Sequence, residues 1–267
     1  MSVRNLLSNL DEEIERIETQ AKSLSDSAHS LFKRVGVKEG MNCVDIGCGT
    51  GEVALMLAKM VGNSGQVTAL DSSQKATEIC NKKAKERNQR NITFLTREVY
   101  DTKIDEKFDL VYSRFLLEHL DAPQKAITEM LRLAKSGTTL ILEDSDNSVW
   151  YSYPEDENVQ QLRLLYSKLT KLMGGDDSFG RKLHELLHKA GLEPKIEVYS
   201  WCITKQNLDL WHATIKVVER LREYIIGFGV VESSQFDQMI SGLKSFYKNE
   251  DAIFVYPLTF RAIAKTP

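Results

Sequence analysis

The amino-acid sequence predicts an α/β fold: a doubly wound, mostly parallel sheet with helices on both faces. Two observations carry this. The first is the stretch Cys43-Val44-Asp45-Ile46-Gly47-Cys48-Gly49-Thr50-Gly51, an apolar run interrupted near its end by an acid. Three glycines then alternate with small residues before a helical pattern starts at Glu52. Glycines so spaced let the backbone turn sharply and approach a ligand where a Cβ would collide. The following helix offers unpaired amides beside that turn. The second observation is a regular alternation of strand-length apolar runs with helical-period segments over 41–143. It implies parallel strands joined by right-handed crossovers.

Taken in order, residues 1–35 read as helical, with Ile14, Ile17, Ala21 and Leu24 recurring among Glu12, Glu13, Glu15 and Arg16. Arg16 and Gln20 share one face. Two readings stand: a lid that turns these two toward a cofactor, or a solvated helix packing its apolar stripe on the domain. A second helix over 25–35 leads through Gly36 and Gly40 to a strand at 41–46. Helix 52–61 is broken by Gly62 and Gly65. Strand 66–70 ends in Asp71, and Asp71, Ser72 or Ser73 can cap the helix expected over 74–88. Strand 92–95, an irregular stretch 96–106, strand 108–113, helix 123–135 and a strand over 137–143 follow. Ligands of such sheets bind beyond the carboxyl ends of the strands. The candidates are therefore Asp45 to Gly51, Asp71, Glu98, Arg114 and Asp144.

The 267 residues suit one large domain with insertions, and no repeat, low-complexity tract or flexible linker divides them. With a net charge of −3 no global polyanion-binding field is expected, which disfavours nucleic acid while leaving a local basic patch open. Cys43, Cys48, Cys80 and Cys202 are scattered without a C-x-x-C pair. That fits a reduced, cytoplasmic protein without a metal site rather than a disulfide framework. No apolar run reaches about 18 residues, so no membrane span is expected, and the N-terminus has no apolar signal core.

The glycine loop lacks the Gly-Lys-Ser/Thr ending of a phosphate-cradling loop, and it is not the Gly-x-Gly-x-x-Gly of dinucleotide binders. Gly-x-Gly-x-Gly preceded by Asp45 resembles motif I of the class I S-adenosylmethionine (SAM)-dependent methyltransferases, Asp/Glu-x-Gly-x-Gly-x-Gly. SAM presents a cationic sulfonium and an ammonium instead of a pyrophosphate, so a nearby carboxylate is useful. The resemblance makes Asp45, Gly47, Cys48, Gly49 and Gly51 cofactor-binding. It makes Asp71, with Ser72, the ribose site, since a carboxylate accepts two hydroxyl hydrogen bonds. Arg97-Glu98-Val99 stands where the family has Gly-Asp-Ala, which aligns Glu98 with the acid on the adenine amino group and Val99 with the amide on a ring nitrogen. Glu for Asp and Arg97 for Gly are departures. Tyr112-Ser113-Arg114-Phe115-Leu116-Leu117-Glu118-His119-Leu120 resembles the family's RFxLEHL segment after the fourth strand. Arg114 is placed for the cofactor carboxylate or an acidic neighbour. His119 is either a general base or a structural histidine; Glu118 is the second catalytic candidate.

The same resemblance implies a seven-stranded Rossmann-like methyltransferase fold with a final antiparallel strand. Segments 194–204 and 253–265, rich in β-branched and aromatic residues, read as its closing hairpin. The chain then divides into a helical lid (1–35), a SAM-binding core (36–146), helical cap segments (147–190 and 206–250) and closing strands (191–205 and 251–267). Insertions at the ligand end commonly build a substrate chamber. The first carries Trp150, Tyr151, Tyr153 and Pro154, then helices near 155–173 and 179–190 parted by Gly174-Gly175; the second carries Trp211, His212, Gly227 and Gly229. The aromatics after the fifth strand suit an apolar or cationic acceptor, or form the core of the cap. The expected function is in-line methyl transfer from SAM to a small molecule, with alignment and desolvation as the protein's main contribution. The alternatives are a nucleotide-dependent reductase, which the glycine spacing argues against, a protein or RNA methyltransferase, and a non-catalytic SAM-binding partner subunit.

Overall fold

The computed structural model describes residues 11–267; the first ten positions of the expected N-terminal helix lie outside the described residues. The chain begins with α1 (Asp11–Ser23) and α2 (Ser25–Arg34), then runs β1 (Asn42–Ile46), α3 (Glu52–Val61), β2 (Gln66–Asp71), α4 (Gln74–Glu86) and β3 (Ile92–Thr96). It continues through β4 (Phe108–Arg114), α5 (Pro123–Arg132) and β5 (Ala134–Asp146). These strands and two later ones, β7 (Lys195–Tyr199) and β10 (Leu258–Lys265), form a seven-stranded sheet ordered β3-β2-β1-β4-β5-β10-β7. β10 runs antiparallel to both its neighbours. The central strands are apolar on both sides because helices cover both faces. Val44, Ile46, Val111, Leu140 and Leu142 pack on α5, whereas Cys43, Leu110, Tyr112 and Ile141 pack on α2 and α3.

Two boundaries differ from expectation for a visible reason. Helix α5 stops at Arg132 because β5 starts early: Ala134 pairs with Phe108, and the register then shifts across Gly137 (φ 77°) before Thr139 pairs with Leu110. β5 also runs on to Asp146, since β10 pairs with it there. The expected closing hairpin is divided between two sheets. Only β7 and β10 join the large one; β8 (Cys202–Ile203) and β9 (Ile253–Val255) pair with each other, and β6 (Tyr151–Tyr153) completes a small sheet ordered β6-β9-β8.

That small sheet, α6 (Glu157–Leu172), α8 (Asp209–Arg220), α9 (Arg222–Gly227) and α10 (Ser233–Phe246) share a separate apolar core around Val159, Leu162, Trp211, Phe236 and Phe254. Asp156 caps α6 by accepting from the Asn158 and Val159 amides. The expected helix at 179–190 is a 3₁₀ turn, Phe179–Lys182, followed by α7 (Leu183–Lys189). α1 packs along α8 yet buries no residue completely. Ion pairs tie it down: Asp11 and Glu18 to Lys75 and Lys83 of α4 (2.7 and 2.8 Å), and Glu15 to Lys216 of α8 (2.8 Å).

Candidate active site

A cavity of about 410 Å³ lies beyond the carboxyl ends of β1, β2 and β4, between the sheet, α1 and the cap. Its floor is the glycine loop. Gly47, Gly49 and Gly51 all have positive φ (74°, 52° and 78°), a region costly to side-chain-bearing residues. Ile17 of α1 presses on Gly49: a Cβ there would lie 3.2 Å from its methyl carbon. The loop is held to β2 because Asp71 accepts from the Gly49 amide with one carboxylate oxygen and from the Ser73 amide with the other, both at 2.9 Å. Each oxygen keeps a lone pair for a further donor. Ser73, rather than Ser72 or Asp71, caps α4 by accepting from Ala76.

Asp45 is 2 % exposed, and its Oδ2 has no hydrogen-bond partner. Burial pushes its carboxyl up to about 7, with Arg114 opposing and Asp71 adding to the rise. An orphaned buried carboxylate oxygen is expensive unless a ligand satisfies it. Arg114, at the end of β4, also lines the cavity; among the described residues its guanidinium makes no hydrogen bond or ion pair and rests 5.7 Å over the Phe115 ring. Beneath it, Glu143 is fully buried and accepts from Tyr112 (2.5 Å), Tyr199 (3.0 Å) and Arg261 (2.6 Å). The floor therefore offers an unsatisfied anion and an unpaired cation, the complement of an amino acid's ammonium and carboxylate. SAM fits this donor set.

After β4 the chain turns through Phe115, left-handed at φ 54°, into a 3₁₀ turn, Leu117–His119. Glu118 is buried and His119 half-exposed; Glu118 Oε1 lies 3.5 Å from His119 Nε2, and Glu118 Oε2 accepts from Ser145. Asn147 donates to the same serine at 2.6 Å. Burial raises the Glu118 carboxyl above its ordinary value, while His119 and Ser145 pull the other way. Asp144 is turned from the cavity and accepts the Glu118 amide at 3.1 Å. Gly175 allows a close approach: a Cβ there would sit 2.6 Å from the Glu118 carbonyl oxygen. Its neighbour Asp176 donates to that carbonyl at 2.8 Å.

Of the residues singled out from sequence, the cavity brings together Asp45, Gly47, Cys48, Gly49, Asp71, Arg114, Glu118 and His119. Gly51, Ser72, Glu98 and Val99 are not in its lining. Gly51 faces away, where a Cβ would meet Cys80 Sγ at 2.8 Å. Ser72 and Glu98 are exposed, and the Val99 side chain packs into the core. The Cys48 thiol is pushed well above its usual value by the Cys80 hydrogen bond and by burial, so it stays protonated. Trp150 lines the cavity, but Tyr151 and Tyr153 point to solvent, 58 % and 66 % exposed. Trp211 lines it too, whereas His212 is exposed. Sequence reasoning missed Ser145 and Asn147, which the strand-end rule would have found had β5 been carried to its true end. It also missed Tyr166, Thr170 and Tyr256, which no local pattern marks.

A family model described as a methyltransferase domain matches residues 37–191. A demethylmenaquinone methyltransferase of Lactobacillus johnsonii is 29% identical over 214 residues, 72% of this chain and 82% of that protein. A 2-phytyl-1,4-naphtoquinone methyltransferase of Nostoc is 30% identical over 128 residues, 45% of this chain and 56% of its own length; this chain thus spans little more than half of that relative. Among solved structures, a phosphoethanolamine N-methyltransferase from Haemonchus contortus in complex with SAM aligns over 100% of this chain and 60% of its own, with a TM-score of 0.62 at 19% identity.

Proposed function

The chain belongs to the methyltransferase-domain family, as a class I SAM-dependent member, and from that premise we propose that it methylates a bulky, largely apolar small molecule. One observation carries the proposal: a single cavity has a charged floor, Asp45 and Arg114, and an apolar upper wall supplied by the cap. Relatives named for demethylmenaquinone and 2-phytyl-1,4-naphtoquinone are in keeping with such an acceptor.

SAM supplies a methyl group already activated on a sulfonium. The Asp45 carboxylate takes the ammonium of its amino-acid end, Arg114 the carboxylate, and Asp71 the ribose hydroxyls. Bare backbone at Gly47 and Gly49, with Cys48 between them, lets the cofactor lie against the main chain. α1 serves as the lid; it closes over the glycine loop and excludes water, which strengthens each charged contact. The cap fixes the acceptor in line with the methyl group. Glu118 and His119 handle the acceptor's proton where it has one. With four free cysteines, and no described helix long and apolar enough to cross a membrane, we assign the protein to the cytoplasm. Protein and RNA acceptors are disfavoured because the acceptor wall lies under the cap rather than on an open basic face.

The test is calorimetry with SAM and S-adenosylhomocysteine, followed by turnover on a reduced alkyl-naphthoquinone against bulk transfer RNA and a denatured protein mixture. We expect binding of both cofactor forms and product from the ring compound alone. Absence of cofactor binding, or methylation confined to RNA or protein, would overturn the proposal.

A further inference from the structure

Above the donor floor, four ionisable side chains from distant parts of the chain meet in the cavity. Arg16 comes from α1, Glu118 from the turn after β4, Tyr166 from α6 and Tyr256 from the link between β9 and β10. Each acts electrostatically on the others. The walls around them are apolar: Leu169, Met173, Val217, Val218 and Phe254. Arg16 is anchored to Glu13 through Nε and Nη2 (2.8 and 2.7 Å), which fixes its guanidinium and keeps it charged. The Tyr256 hydroxyl accepts from Gln20 at 3.0 Å and so keeps its own proton to give. Burial, with Glu118 adding, holds both phenols protonated. Three donors and the Glu118 carboxylate therefore share an apolar-walled chamber with Glu13, whose charge is taken up by Arg16.

A cationic amine would meet Arg16 and two hydroxyl protons. A plain hydrocarbon would leave all of them unsatisfied. A weakly acidic hydroxyl on an apolar ring matches both halves. Resting on the methyltransferase reading above, we infer that Arg16, Tyr166 and Tyr256 form the acceptor subsite and select a phenol-type hydroxyl, with Glu118 as the group that receives its proton. The O–H bond breaks heterolytically: the proton goes to Glu118 Oε1, and the electron pair stays on the acceptor oxygen among the three donors. The acceptor's electrons form the new bond to the methyl carbon as the carbon–sulfur pair returns to sulfur. His119 is close enough to Oε1 to take the proton on, and its half-exposed ring delivers it to solvent. Asp144, Ser145 and Asn147 are polar neighbours of this acid, Thr170 lies beside Tyr166, and Glu13, paired to Arg16, is the second acid lining this end of the cavity.

The experiment measures binding of 2-naphthol, naphthalene and 1-naphthylmethylamine to the full chain, with and without S-adenosylhomocysteine. We expect naphthol to bind about tenfold or more tightly than naphthalene, the scale of a hydrogen bond to a charged group, and the amine to bind worst. Bound naphthol should ionise at a lower pH than free naphthol, read from its naphtholate absorbance. Tyr166→Phe and Tyr256→Phe keep both rings in the wall; each should lose most of the naphthol preference while naphthalene and S-adenosylhomocysteine affinities stay unchanged. Equal binding of naphthol and naphthalene, a preference surviving both substitutions, preference for the amine, or no binding of any probe overturns the inference. Because S-adenosylhomocysteine affinity is measured separately, loss of the donor-site reading registers on its own.

Discussion

Cofactor binding should release a proton below neutral pH, and Asp45 should be its source. In the free protein burial pushes this carboxyl from an ordinary 3.8 up to about 7, so below that pH its protonated form predominates. The cofactor's ammonium favours the carboxylate. At pH 6 the site is about nine-tenths protonated, and stripping the proton costs about 1.4 kcal/mol; at pH 8 the cost is about 0.1 kcal/mol. SAM affinity should therefore fall about tenfold from pH 8 to pH 6. Calorimetry in two buffers of different ionisation heat should count about 0.9 proton released at pH 6 and about 0.1 at pH 8. Asp45→Asn should bind more weakly at pH 8 and lose both the slope and the proton release. A flat wild-type profile refutes the reasoning. A slope that persists in Asp45→Asn assigns it to another group, such as Glu118 or Asp71. The same shift acts on the free fold with the opposite sense. An acid whose pKa rises on folding binds more protons folded than unfolded. Its stability contribution is thus present at low pH and is lost as pH climbs from about 4 to about 7, by at most about 4 kcal/mol. Thermal melts with and without cofactor should show the loss only in the free protein.

Asp71→Ala should weaken SAM binding by about 1–3 kcal/mol, since a charged acceptor of ribose and backbone donors is lost; unchanged affinity by titration would remove it from the site. Gly51→Ala should lower stability by about 1–3 kcal/mol through its positive φ and the Cys80 contact. Adding Cys80→Ala should restore only the steric part of the melting temperature. His119→Ala should leave SAM affinity near wild type and lower kcat; an unchanged kcat would make the histidine structural. Raising salt should speed S-adenosylhomocysteine release in stopped flow, because α1 is held by solvent-facing ion pairs that salt screens; a salt-independent rate would detach the helix from release.

The donor floor was legible because its parts lie close in sequence. Asp45, the glycine loop and Asp71 fall within one strand–helix–strand unit, and Arg114 ends the next strand to pair with β1. Apolar runs of strand length marked the parallel strands for the same reason, although their order in the sheet comes from the structure. The acceptor end was legible only in part: Arg16 and Glu118 were marked, but Tyr166 and Tyr256 carry no local pattern and join them only through the cap. Tyr151 and Tyr153 misled because alternation along β6 turns both to one side, and that side is solvent. The small sheet escaped notice because a strand of two residues, Cys202–Ile203, leaves no periodicity to read. Glu98 and Val99 were placed by the family's pattern alone, at a point where this chain departs from it.

α1 touches both ends of the cavity at once: Ile17 lies on the glycine loop, and Arg16, one residue earlier, belongs to the acceptor end. With α1 as the proposed lid, whichever molecule orders the helix should bear the ordering cost for both, and the second should arrive at a surface already assembled. The two occupants are thus linked through the helix as well as through the reacting atoms. Steady-state kinetics should be sequential rather than ping-pong, with the nucleoside entering ahead of the ring compound and leaving after it.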